Sequence, residues 1–252
     1  MRNGKVFVAT VFALALLLAS AAYAVDGVVL INQNGALAGL GGCDSPGFPI
    51  TICQGGSYRL SGNLSVPANA TGISITADNV SIDMNGFSIV GPGTCSGTPV
   101  PSCSGNSGGF GVQSGNDNIT VRNGSVVGMG DGVALFGRGE LVESVNAKWN
   151  SDIGIFVEFG TIRLSSATQN GFAGIWVAGG GSTERNTAVG NQYGVLTYYG
   201  SAIGNVANSN QTGLGVLRST FGSNSMQDNT TDLVTAGGST SQNNNNCSGS
   251  SC

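Results

Sequence analysis

The chain contains no histidine, and only 9% of its 252 residues are charged. Without an imidazole a Ser-His-Asp triad is excluded. No C-x-x-C pair occurs either, so both common zinc signatures are missing. Beyond residue 24 no run is apolar enough to cross a bilayer, and no membrane span is expected. Basic residues are scarce. Removal of Arg2 and Lys5 with the leader described below leaves seven basic against thirteen acidic residues, a net charge of −6. That balance argues against nucleic acid and against anionic membranes as partners. Solubility must come from Asn, Ser, Thr and Gly rather than from charge.

What is present is a repeat. Residues 147–233 read as A-x-x-N-x(2–3)-G followed by an aliphatic residue: Ala147/Asn150/Gly154, Ala167/Asn170/Gly174, Ala188/Asn191/Gly194 and Ala207/Asn210/Gly213, with Met226/Asn229/Asp232 as a last, altered copy. A fixed period near 20 residues signals a solenoid. The aliphatics are mostly Val and Ile in short runs broken by Gly, Asn and Ser, which reads as strands and turns. Glycine recurs throughout this region, so a helical layer, and with it a leucine-rich repeat, is disfavoured. The expected fold is all-β: a single-stranded right-handed parallel β-helix of about eight coils with an N-terminal cap. Ile155, Val157, Ile175, Val177, Val195, Leu214 and Val216 are expected to point inward. Asn170, Asn191, Asn210 and Asn229 are expected to stack as an amide ladder, and Asn186, Asn205 and Asn224 as a second.

The expected organisation has four parts. Residues 1–24 are a secretory leader, with a charged start, an apolar stretch from Val6 to Ala19 and an A-x-A site cut after Ala24. Residues 25–71 are the cap. Residues 72–235 are the β-helix, with an insertion at 92–109. Residues 236–252 are a low-complexity, flexible tail. Six cysteines in an exported chain read as disulfides, and proximity pairs Cys43 with Cys53, Cys95 with Cys103 and Cys247 with Cys252. The expected location is the periplasm or the medium.

The stretch ITADNVSIDMNGFSIVG, residues 75–91, together with the later N-x-x-G-[IV] steps, resembles secreted bacterial right-handed parallel β-helix proteins. These belong to the broad pectate-lyase-like superfamily, which includes NosD-type periplasmic repeats. The resemblance spans roughly residues 57–235. It implies the fold and little about activity.

Two functional readings stand. In the first, outward residues on successive coils, Phe136, Phe156, Trp176, Leu196 and Tyr198, form an aromatic and apolar stripe that suits sugar rings or a protein partner. The chain is then a non-catalytic extracellular or cell-surface binding protein with no cofactor. In the second, it is a carbohydrate-active enzyme such as a lyase of acidic polysaccharide. The resemblance implies an acidic Ca²⁺ cluster with an Arg base for that chemistry. The candidates are Asp131, Asp152 and Glu158 with Arg138 and Arg163, beside Glu140 and Glu143. Sparse carboxylates and the missing histidine favour the first reading. Regular outward Thr-x-Thr rows, which ice binding would need, do not occur. Nothing in the sequence signals an oligomeric state.

Overall fold

The computed structural model describes residues 27–105, 108–248 and 252. The expected leader and its cleavage site lie outside the described residues. The chain winds into a β-solenoid of about 9 turns, each turn contributing up to three short strands. All solenoid pairings are parallel, from Val28–Ile31 on Gly56–Leu60 at one end to Ser225–Gln227 on Asn246–Cys247 at the other. Three stacks result. The first runs through Ile50–Ile52, Ile73–Ile75 and Phe110–Ser114 to Tyr193–Tyr198, Thr212–Leu217 and Thr231–Ala236. Asp131–Lys148 is long enough to pass through all three stacks in one turn.

The ninth turn comes from the segment read as a cap. Ile50–Ile52, Gly56–Leu60 and Leu64–Ser65 already pair with the next coil. Above them sit Val28–Ile31 and a short helix, Gln33–Ala38, whose N-cap Asn32 accepts a hydrogen bond from the Gly35 amide at 2.9 Å. At the other end, Thr240–Ser241 and Asn246–Cys247 pair with the preceding coil, so residues 236–247, read as tail, extend the solenoid. The three disulfides join the expected pairs.

The repeat motif follows from the close spacing of the coils. Stacked strands lie about 4.8 Å apart, so equivalent residues meet. The seven aliphatics expected to point inward are all buried. The motif's Asn sits inside the turn, fully buried at Asn150, Asn170, Asn191 and Asn210. Each amide nitrogen donates to the Asn oxygen of the next coil, from Asn150 to Asn170 (2.9 Å), Asn191, Asn210 and Asn229 (each 3.1 Å). The same nitrogens from Asn170 onward also donate to the carbonyls of Ala147, Ala167, Ala188 and Ala207 one coil back. The motif's Gly lies where the next coil presses in. A Cβ on Gly194 would stand 2.6 Å from the Gly213 oxygen and 2.7 Å from Asn210 Nδ2, the latter held in place by the ladder. The second ladder runs from Asn186 through Asn205 and Asn224 to Asn245, with 3.1 Å at every step.

Candidate functional site: an aromatic face

On the first stack, alternation sends every second residue out. Ala134, Phe156, Trp176, Leu196, Gly215 and Val234 are register partners on successive coils. Phe136, Glu158 and Tyr198 each lie two residues further along their own strands, in a second outward column. The expected stripe therefore assembles. Phe136 and Phe156 lie 5.2 Å apart between ring centroids, Phe156 and Trp176 5.3 Å, and Trp176 and Tyr198 5.7 Å. The rings are tilted or edge-to-face, the arrangement their quadrupoles favour, worth about 0.5–1.5 kcal/mol per pair beyond burial. Phe136 is 46% exposed, while the other three rings are half-buried. Trp176 Nε1 is buried without a partner, so packing alone holds the indole. Trp149, on another part of the solenoid, instead donates from Nε1 to Gln169 Oε1 at 3.0 Å.

One stripe residue departs from expectation. Leu196 is only 3% exposed. Its neighbour Gly215 has no side chain, and a Cβ there would lie 2.6 Å from Leu196 Cδ2, so Leu196 fills that space and becomes the floor of a groove. The groove encloses about 310 Å³ and is walled by Phe172, Tyr193, Tyr198, Leu217 and Val234. Phe172 and Tyr193 extend the ring cluster. Phe172 lies 6.1 Å from Trp176 and 5.2 Å from Tyr193. Reading alternate strand positions missed both, because Phe172 stands in the turn before its strand and Tyr193 is the first residue of its own. At the opposite end of the face a polar groove of about 310 Å³ is lined by Ser74, Thr76, Gln113, Asn116 and Phe136.

The candidate catalytic residues go to separate places. Asp131 and Asp152 lie on adjacent coils at the entry to the face. Asp131 accepts a hydrogen bond from the Ile153 amide at 2.9 Å. Burial pushes its pKa up to about 6, and the charge of Asp152 adds to the rise. Asp152 lines a cleft of about 530 Å³ beneath the inserted hairpin, whose strands Thr94–Ser96 and Ser102–Ser104 lie antiparallel with Cys95 opposite Cys103. Glu158 follows the inward Val157 and stands on the aromatic face. Arg163 leaves the face to pair with Glu143 at 2.8 Å. The Arg138 guanidinium lies 4.6 Å from the centre of the Phe159 ring. Glu140 is buried, and neither carboxylate oxygen has a hydrogen-bond partner. Burial, reinforced by Asp117, raises its pKa to about 8. Among the described residues no three Asp, Glu, Cys or His side chains gather into a group that could hold a metal ion.

No protein-family model and no curated protein matches the sequence. Solved structures do. The chain is similar to the Dettilon tailspike protein, with a TM-score of 0.51 and 16% identity over 71% of this chain and 42% of that one. It thus spans less than half the length of the tailspike. An alginate lyase from Paenibacillus sp. str. FPU-7 aligns with a TM-score of 0.42 and 11% identity, over 78% of this chain and 97% of the lyase. At such identities the likeness to the tailspike is one of fold: the chain is built as parallel β-helix proteins are.

Proposed function

We propose that the chain is an exported, non-catalytic glycan-binding protein and that the aromatic face is its binding site. The carrying observation is the run of contacting rings, Phe136, Phe156, Trp176 and Tyr198, along consecutive coils, with a groove at each end. Rings set at the coil repeat offer successive apolar patches to the C–H faces of successive sugars, and the grooves extend the track. Three disulfides suit an oxidising compartment and support export. Relationship to pectate-lyase-like and NosD-type proteins is the finer form of this reading.

The experiment is co-sedimentation of the purified protein with a panel of insoluble polysaccharides, repeated with Trp176→Ala. The reading requires retention on at least one polysaccharide and its loss in the variant. Retention that survives the substitution would move the site elsewhere.

A second reading, an enzyme acting on polysaccharide, draws on Asp131. Burial raises the carboxyls of both Asp131 and Asp152, Asp131 to about 6, which suits a carboxyl that holds a proton as a general acid. Release of new reducing or unsaturated ends, abolished by Asp131→Asn, would establish it and displace the first.

A further inference from the structure

We infer that the aromatic face takes an uncharged hexose polymer and excludes uronate-bearing chains. This rests on the binding role given to the face above, and it concerns which glycan is taken.

The argument is one of charge and hydrogen-bond chemistry. The two outward columns of the first stack, from Ser74 and Thr76 at one end to Val234 and Ala236 at the other, contain no Lys and no Arg. Within the columns Glu158 is the one charge; Asp131 and Asp152 stand at the entry, and Arg138 and Arg218 flank the face, each against a ring, Phe159 and Tyr199. Arg163 is bound to Glu143, and Arg138 and Arg218 lie at the margins of the face rather than in its columns. A polymer with a carboxylate on every sugar is recognised through cations, most specifically through a guanidinium fork or a bound divalent ion. Along the columns, where its sugars would lie, it would find neither. It would instead bring its charge against Glu158 on a surface made poor in water by six aromatic rings, where like charges repel more strongly than in bulk.

An uncharged hexose matches what is present. Its C–H face can lie on the exposed parts of Phe136, Phe156 and Trp176. Its hydroxyls meet neutral donors and acceptors at both ends, Gln113 and Ser74 in the upper groove and the hydroxyls of Tyr193 and Tyr198 in the lower. Glu158 is then an acceptor for hydroxyl protons rather than a source of repulsion. Gln113 is already oriented, its Nε2 donating to Ser74 Oγ at 3.3 Å.

The test is calorimetric titration of the full chain with three sets of soluble oligosaccharides: neutral glucans, mannans and galactans; oligouronates; and glucosamine oligomers. Each is run at low and high salt. The expected result is binding of a neutral oligomer, at least about tenfold weaker binding of the uronates, and a neutral affinity that does not move with salt. Glu158→Lys, a half-buried surface position, should raise uronate affinity several-fold without changing the melting temperature appreciably. Uronate binding equal to or tighter than neutral binding would overturn the inference while leaving the face a glycan site. So would a glucosamine oligomer that binds tightest and is released by salt, or a Glu158→Lys variant that gains nothing. Silence from all three sets would overturn the binding role itself.

Discussion

Asn191 is the position where the account of the fold is most exposed to test. Its side chain is fully buried and makes four hydrogen bonds. Its oxygen accepts from the Asn170 amide N–H at 2.8 Å and from Asn170 Nδ2 at 3.1 Å. Its nitrogen donates to the Ala167 carbonyl at 3.2 Å and to Asn210 Oδ1 at 3.1 Å. Asn191→Ala removes all four. Asn170 Nδ2 keeps the Ala147 carbonyl, and Asn210 Oδ1 keeps the Asn191 backbone amide. The Asn170 N–H and the Ala167 carbonyl lose these contacts in a site closed to water. The Ala167 carbonyl stays in the backbone ladder with the strand Thr187–Val189, so one buried donor is left unsatisfied, at a cost of about 1–3 kcal/mol before the cavity is counted. Asn191→Leu keeps the branched shape but is bulkier and should cost at least as much, polar loss and overpacking acting together. Asn229→Ala, at the partly exposed end of the same ladder, should cost clearly less, since water can replace it. Urea unfolding followed by circular dichroism gives the three values. A loss below about 1 kcal/mol for Asn191→Ala, or equal losses at Asn191 and Asn229, would refute the ladder as a source of stability.

Three further outcomes follow from the same structure. Glu140 has a folded-state pKa near 8 against an ordinary 4.5, so the folded chain holds the extra proton between those values. Its ionisation therefore costs nothing below about pH 4.5, and stability falls as pH rises toward 8, by an upper limit on the order of 4 kcal/mol. Glu140→Gln should flatten that decline and be the more stable form at pH 8, which melting curves across pH 5–9 will show. Gly194→Ala should destabilise by about 1–3 kcal/mol through overpacking, whereas Gly115→Ala, with open space around its position, should be near neutral in the same denaturation assay. Ile175→Asp places a carboxylate at a fully buried site between Ile155 and Val195, and should leave no folded protein by size-exclusion chromatography and circular dichroism.

The repeat was legible because the same constraint acts at every coil. The ladder needs Asn, and the close approach of the next coil needs Gly, so both recur at the coil length and the period shows through a sequence of low complexity. Legibility failed where that constraint changes hands. Asn245 continues the second ladder after a step of 21 residues rather than 19, inside a polar run that reads as tail. Residues 50–65 form a coil without the Asn-Gly motif, so they read as cap. On the face, alternation located Phe136, Phe156, Trp176 and Tyr198. The burial of Leu196, in contrast, depends on a missing side chain at Gly215, one coil away, and on rings contributed by a turn and a strand start. The carboxylates were harder still. The register shifts between Leu135 and Glu140, so positions counted along the chain there no longer map onto one face, and Glu140 turns inward.

On the proposed binding role a glycan lies on Trp176. The chain has two tryptophans, so Trp149→Phe leaves Trp176 as the sole indole. The measurement is fluorescence of that variant titrated with neutral oligosaccharides. A sugar covering the half-buried ring displaces water, so a saturable blue shift is expected as the oligosaccharide is added. An emission spectrum unchanged by a glycan that the protein demonstrably binds would contradict it.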